Sequence, residues 1–394
     1  MVFFIKVFAT STCCVHCFFS AQNEVVTKKF YPFPISVSLI FACMAKGYSL
    51  NVQQVNYLNI VLMVAAAGAA VIRPFELFLF SYIVLGPLHY LTEMTWLHQR
   101  QYFIDKSKAW WLLVACGFGL IVFYLADFLI THFPSWFSML SAEEINNYSA
   151  LFRNWTLNFV LLAFVIGAVL VAVKDKWWRL TAICLLTAFL IVLNPYRELL
   201  ITLGILIPTL VHTFLFMMAF ILYGALKSNS TSGYLSVVVF VLCSASFFVT
   251  NWGIASYSIN PFVLQNLQEG FFLAVNDILG KLLGHQFNSI QDTLYSPWGI
   301  RIQQFIAFSY TYHYLNWFSK TNIINWHHIP RKWGIAIIVL WVLFISLYLI
   351  DFKTGLLAIF LLSMLHVFLE FPLNYLSMLG IGNHFWGRNE TPKT

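Results

Sequence analysis

The chain has 394 residues, of which 60% are hydrophobic and only 9% are charged, and its mean hydropathy is +0.78. Soluble domains carry roughly 25% charged residues, so this chain cannot cover a water-facing surface. The composition predicts an all-α, multi-pass transmembrane helix bundle. The formal net charge of +7 comes from single basic residues between apolar segments, which indicates charges that face cytoplasm and anionic lipid rather than a nucleic-acid partner.

Three regions follow from the distribution of apolar residues. Residues 1–53 form a poorly defined N-terminal segment, residues 54–382 the transmembrane bundle, and residues 383–394 a cytoplasmic tail. The N-terminal segment contains a cysteine cluster at Cys13, Cys14 and Cys17. No second cysteine pair completes a ligand set for this cluster, which favours juxtamembrane acylation or no role over a metal or disulfide site.

The bundle is predicted to contain about ten spanning helices, because apolar segments of about 20 residues recur along the chain. The predicted spans are 57–72, 77–98, 110–131, 155–173, 178–194, 199–225, 234–252, 299–318, 333–351 and 355–380. Residues 262–296 mix apolar with charged and amide side chains. This pattern predicts an amphipathic helix at the membrane surface or a re-entrant segment.

Basic residues give the orientation of these spans. The loops after every second span, beginning with the loop after span 77–98, hold twelve Lys and Arg residues, whereas the intervening loops hold six. Cytoplasmic loops are enriched in Lys and Arg. The count therefore predicts that both ends of the bundle are cytoplasmic.

Histidines and glutamates stand out inside the apolar spans. The segment from Gly86 to Glu93 places His89 and Glu93 four residues apart, on one face of a helix. The same spacing returns with His366 and Glu370. Ionisable groups within the membrane are costly and are functional by default.

Two further intramembrane histidines belong to the same set. His212 and His313 lie in spans that are predicted to run in the same direction as those of His89 and His366. At about 1.5 Å per residue, all four imidazoles lie roughly 16–21 Å from the outer ends of their helices. We therefore expect one site built from four helices.

Imidazole and carboxylate groups at one depth favour a metal centre. His89, His212, His313 and His366 are the predicted ligands of a transition metal, with iron as Fe2+ the first choice. Glu93 and Glu370 are predicted as ligands or as catalytic groups that orient the imidazoles. Two alternatives remain open: a proton-coupled transporter that uses the His/Glu set as a relay, and a membrane scaffold with structural His/Glu pairs.

Two other features surround these residues. Pro87, Pro208 and Pro372 lie near the proposed site and are predicted to kink their helices and free backbone carbonyls. Aromatic residues flank His313, and an interfacial aromatic belt accounts for Trp317 among them.

The pattern resembles the Brp/Blh family of integral-membrane carotenoid-cleaving oxygenases, which carries a Gly-x-Pro-His-Gly-x-x-Asp-like segment followed by single histidines in later spans. The matching segment here is Gly86-Pro87-Leu88-His89 with Glu93, and His212, His313 and His366 match the later histidines. An extra leucine precedes His89, Tyr90 stands in place of a glycine, and Glu93 in place of an aspartate.

The resemblance implies iron bound by these histidines and cleavage of a carotenoid by dioxygen. We therefore expect a metal-dependent membrane oxygenase, of the dioxygenase type, that acts on an apolar substrate dissolved in the membrane lipid. The substrate itself and the oligomeric state stay open.

Overall fold

The computed structural model describes residues 51–99, 109–193, 195–250, 257–270, 272–320 and 330–387. These residues form helices and no β-strand, which confirms the predicted all-α class. The α-helices are α1 (Val52–Ile72), α2 (Pro74–Phe80), α3 (Gly86–Gln99), α4 (Trp111–His132), α5 (Ala142–Ala172), α6 (Lys176–Val192), α7 (Arg197–Leu206), α8 (Met217–Ser228), α9 (Thr231–Val249), α10 (Pro261–Glu269), α11 (Leu273–Leu282), α12 (Ile290–Tyr295), α13 (Pro297–Ser319), α14 (Arg331–Ile350) and α15 (Phe352–Phe385).

Eight helical stretches in the described part of the chain are long and apolar enough to cross a membrane. They coincide with eight of the ten predicted spans, and this is the pattern of a multi-pass membrane protein. Residues 1–50, 100–108 and 388–394, which carry part of the predicted N-terminal segment, the cytoplasmic tail and the basic loops, lie outside the described residues. The orientation of the termini stays a prediction.

The other two predicted spans coincide with α6 and α13. Helix α6 has 17 residues, none of them buried, and it packs at the edge of the bundle against α5. Helix α13 is the opposite case, because eighteen of its 23 residues are buried. Its polar residues face other helices instead of lipid; for example, the Tyr312 hydroxyl donates to Oδ1 of Asn59 at 3.3 Å.

The segment predicted as one interfacial helix is divided into three. Helices α10, α11 and α12 are 9, 10 and 6 residues long. Gly270 ends α10 and Gly284, at a φ of 81°, follows α11. The short helices pack against α2, α7, α13 and α15, so this segment covers one end of the bundle instead of forming one continuous helix.

Two spans are interrupted by π-helical segments near the prolines that were predicted to distort them. Ser81–Leu85 is π-helical immediately before Gly86 and Pro87, and Ile207–Phe216 is a π-helix that contains Pro208. A proline removes one backbone donor and pushes away the preceding turn, and a wider turn accommodates that clash. Pro372 is different, because α15 continues as an α-helix through it.

The buried apolar side chains of the described residues form two clusters with a seam between them. One cluster is built around α1, α2, α9 and α13, and the other around α4, α5 and α15. His313 lies on the helix at the centre of the first cluster, and His366 lies on a helix of the second. The seam therefore brings together polar residues from helices that are distant in the sequence.

Candidate metal centre

Four histidines from four different helical segments meet inside the bundle. His89, His212, His313 and His366 are each between 1% and 7% exposed. Their rings form a closed circuit, in which His313 lies with its ring centroid 4.8 Å from those of both His89 and His212. His366 closes the circuit at 5.3 Å from His89 and 5.2 Å from His212. The histidines that the sequence places at one depth thus lie in one cluster.

Three of these histidines form a tighter group. His89, His313 and His366 each offer one ring nitrogen, and these atoms all lie within 4.8 Å of one another. The Nε2 atoms of His89 and His313 are 3.2 Å apart. Metal–nitrogen bonds of about 2.0–2.1 Å place two neighbouring ligand nitrogens roughly 3–3.4 Å apart. The His89–His313 separation therefore fits two ligands of one ion, and His212 stands outside the tighter group.

Glu93 approaches its helix neighbour His89. The Oε2 atom of Glu93 lies 3.0 Å from Nε2 of His89. The contact does not have hydrogen-bond geometry, and Oε2 has no hydrogen-bond partner within the described residues. The unpaired Oε2 atom of Glu93 therefore keeps its lone pairs for a cation, whereas Nε2 of His89 also contacts Nε2 of His313.

Glu370 contacts a histidine of another helix. The sequence spacing puts it one turn beyond His366, yet its Oε2 atom lies 3.5 Å from Nδ1 of His212. Its carboxyl group also interacts electrostatically with that of Glu93. Two neighbouring buried carboxyl groups need a proton or a cation between them, because two bare negative charges in an apolar interior repel each other strongly.

The site contains a concentration of unsatisfied polar atoms. Both ring nitrogens of His212 and of His366, Nδ1 of His89, and one oxygen each of Glu93 and Glu370 have no hydrogen-bond partner in the described part of the chain. Buried polar groups in folded proteins are almost always paired. Imidazole and carboxylate together suit iron and other divalent transition metals. The residues therefore fit a bound metal ion.

Trp317 contacts this site, although an aromatic belt at the membrane surface accounts for it from sequence alone. Its indole N–H donates to Oγ1 of Thr92 at 3.0 Å, and its ring centroid lies 5.6 Å from that of His89. Trp317 follows His313 by one turn, and Thr92 follows His89 by three residues. Helices α3 and α13 consequently pass the site in the same direction, as the sequence predicts.

Two tyrosines beside the histidines are not identified from sequence. Tyr90 stacks on His366 and shares a hydrogen bond with Tyr314. In a chain with 18% aromatic residues, neither tyrosine carries a distinctive signal. The one available hint is that Tyr90 and Tyr314 each directly follow a site histidine.

No protein-family model, curated protein or solved structure matches this chain.

Proposed function

We propose that the chain is an integral-membrane, metal-dependent oxygenase, with iron as Fe2+ held by His89, His313 and His366. The observation that carries the proposal is the group of three buried ring nitrogens within 4.8 Å of one another. Two glutamates at the same site would offset the charge of a divalent ion, which an apolar interior otherwise disfavours. When bound, iron would supply the activation of dioxygen that such chemistry needs.

The surrounding residues have distinct roles in this proposal. Glu93 lies close enough to His89 to join it as a ligand or to orient its ring. Glu370 would hold His212 in place from a neighbouring helix. Thr92 and Trp317, joined by a hydrogen bond, would shield the side of the site next to His89 from water.

An apolar substrate from the lipid phase is the class that this architecture favours. The described helices carry many large hydrophobic side chains on their outer surfaces, and a lipid-dissolved molecule can reach the bundle laterally. A carotenoid is one example of such a substrate. Exclusion of water from the site would prevent side reactions there.

A proton relay is the second candidate, and the glutamate pair favours it. Glu370 interacts electrostatically with both Glu93 and Lys320. Three neighbouring ionisable groups inside a membrane protein are also a feature of proton pathways. This candidate predicts flux driven by a pH gradient in liposomes that contain metal-free protein.

Metal analysis of the purified chain tests the oxygenase proposal. We expect near-stoichiometric iron or another transition metal after anaerobic purification in detergent micelles, and loss of that metal in His89→Ala. The matched control is His132→Ala, because His132 is exposed at the end of α4. Oxygen consumption with carotenoids in mixed micelles would then test the reaction.

A wild-type protein that is helical by circular dichroism but binds no transition metal would overturn the proposal. Flux in liposomes from that same metal-free protein would establish the relay instead.

A further inference from the structure

Tyr90 lies flat against one of the proposed ligands. Its ring centroid is 4.2 Å from that of His366, and the two planes differ by 26°. Neither ring nitrogen of His366 makes a hydrogen bond of good geometry within the described residues, although the backbone of Leu362 and Ser363, one turn earlier, lies near the ring. Metal-binding histidines are usually oriented by a hydrogen bond from the second ring nitrogen. No well-aligned bond of this kind orients His366, so the stacked tyrosine is a group that restricts rotation of its ring.

Tyr90 is itself held in place. Its hydroxyl shares a 2.9 Å hydrogen bond with the hydroxyl of Tyr314, and both side chains are buried. The two hydroxyls lie against Gly86, one turn before Tyr90 on α3. A Cβ atom at Gly86 would be 3.1 Å from the Tyr90 hydroxyl and 3.3 Å from that of Tyr314. The absent side chain leaves the space that the paired hydroxyls occupy.

The two tyrosines also connect the helices that carry the three grouped histidines. Tyr90 follows His89 on α3, Tyr314 follows His313 on α13, and Tyr90 reaches across to His366 on α15. Tyr314 lies with its ring centroid 5.2 Å from that of His89. A rotation of the Tyr90 ring would therefore disturb all three helices at the site.

We infer that Tyr90, held by Tyr314, is a positioning residue that fixes the ring orientation of His366 for metal binding. This inference rests on the proposed metal centre. The tyrosine acts through the histidine: the stack selects the direction of the His366 ring nitrogens, and the tyrosine hydroxyl is already engaged by Tyr314.

Two measurements on the purified full chain test the inference. The first titrates Co2+ into metal-depleted protein and follows affinity and the visible absorption of the bound ion. The second records the NMR signals of isotope-labelled histidine rings without metal, where a stacked tyrosine shifts the ring protons of His366 upfield. The second measurement reports on the stack whether or not the chain binds a metal.

We expect Tyr90→Leu to weaken Co2+ binding by on the order of ten- to a hundredfold, the usual effect of losing an orienting partner. The same variant should change the Co2+ absorption and move the His366 ring protons downfield. Tyr90→Phe keeps the ring and should have a smaller effect on each readout. The matched control is Tyr312→Phe on α13. It removes a buried hydroxyl that donates a hydrogen bond to Asn59 of α1.

Unchanged Co2+ affinity and absorption in Tyr90→Leu would overturn the inference, and so would unmoved His366 ring protons. If wild-type protein binds no Co2+, the proposed function fails, and the NMR shift alone decides whether Tyr90 positions His366. If Tyr90→Leu does not fold, Tyr314→Phe decides through the same readouts, because it removes only the hydroxyl partner.

Discussion

The Nε2 atoms of His89 and His313 lie 3.2 Å apart, although 224 positions separate the two residues in the chain. At this distance two neutral imidazoles can share one N–H. A cation can instead use both lone pairs and the carboxylate of Glu93 beside them. The contact between α3 and α13 at this point therefore depends on whether a proton or a cation lies between the two imidazole rings.

Metal binding should stabilise the folded protein. An ion that binds the native state alone adds about 2.7 kcal/mol at a hundredfold excess over its dissociation constant. We expect the thermal midpoint in detergent to rise on addition of Fe2+ or Co2+ and to fall with a chelator. His313→Ala should abolish this dependence, whereas His132→Ala should retain it. A midpoint that ignores metal and chelator in wild-type protein contradicts the expectation.

The four histidines should contribute unequally. His366 belongs to the tight group of ring nitrogens, whereas His212 stands outside it beside Glu370. We expect His366→Ala to lose Co2+ binding, and His212→Ala to weaken it by on the order of ten- to a hundredfold, as loss of a supporting residue does. Calorimetric titration with Co2+ measures both. Equal losses would place His212 among the ligands.

Glycine at position 86 should be required by the tyrosine pair. A methyl group at Gly86 would press on the hydroxyls of Tyr90 and Tyr314 at 3.1 and 3.3 Å. Gly86→Ala is expected to weaken Co2+ binding. The matched control is Gly224→Ala on α8, where no atom lies within 4 Å of the added Cβ.

The control substitution Gly224→Ala should increase the stability of the folded protein. Alanine is favoured over glycine inside a helix by roughly 1 kcal/mol, so Gly224→Ala should raise the thermal midpoint and leave Co2+ affinity unchanged. Gly86→Ala with wild-type Co2+ affinity would show that the tyrosines can shift without cost.

The stabilisation that the N-terminal cap gives to α15 should depend on pH. Asp351 caps this helix, and its side chain accepts the backbone N–H of Thr354 at 2.8 Å. Hydrogen bonds from Thr354 hold the pKa of the Asp351 carboxyl below its ordinary value. Because the folded-state pKa is depressed, the stabilisation is fully present above the unfolded pKa of about 3.9 and is lost as the pH falls through the lower folded pKa.

Substitutions separate the cap from its charge. Asp351→Ala should lose about 1 kcal/mol at neutral pH. Asp351→Asn should keep most of the cap and lose the dependence on acid. Thermal unfolding in micelles between pH 3 and pH 7 checks both variants, and equal stability of Asp351→Ala and wild type at pH 7 would contradict the role of the cap.

The helices could be predicted from sequence because hydropathy and span length respond to the same physical constraint. A chain in lipid must satisfy its backbone hydrogen bonds within each segment, so apolar segments of sufficient length become helices. Helix α13 shows the limit of this reasoning. Its polar residues lower its hydropathy below that of the eight apolar helices. It lies at the centre of the bundle, where those polar residues contact other helices.

The residues of the site could be predicted, but not their partners. Spacing of four residues on a helix fixes the approach of Glu93 to His89, because both lie on one face. It does not fix the partner of Glu370, which is His212 on another helix. Packing between side chains decides which face of each helix points inward. In two spans a π-helical segment also rotates the residues that follow it about the helix axis.

Composition and spacing were sufficient to establish an all-α membrane bundle and to select the histidines and glutamates that meet inside it. Side-chain packing decided the separation of three grouped histidines from His212, the stacking of Tyr90 on His366 and the contact of Trp317 with the site. The physical reason is that helical periodicity relates residues within one helix, whereas the rotation and approach of neighbouring helices follow from the packing of all their side chains together.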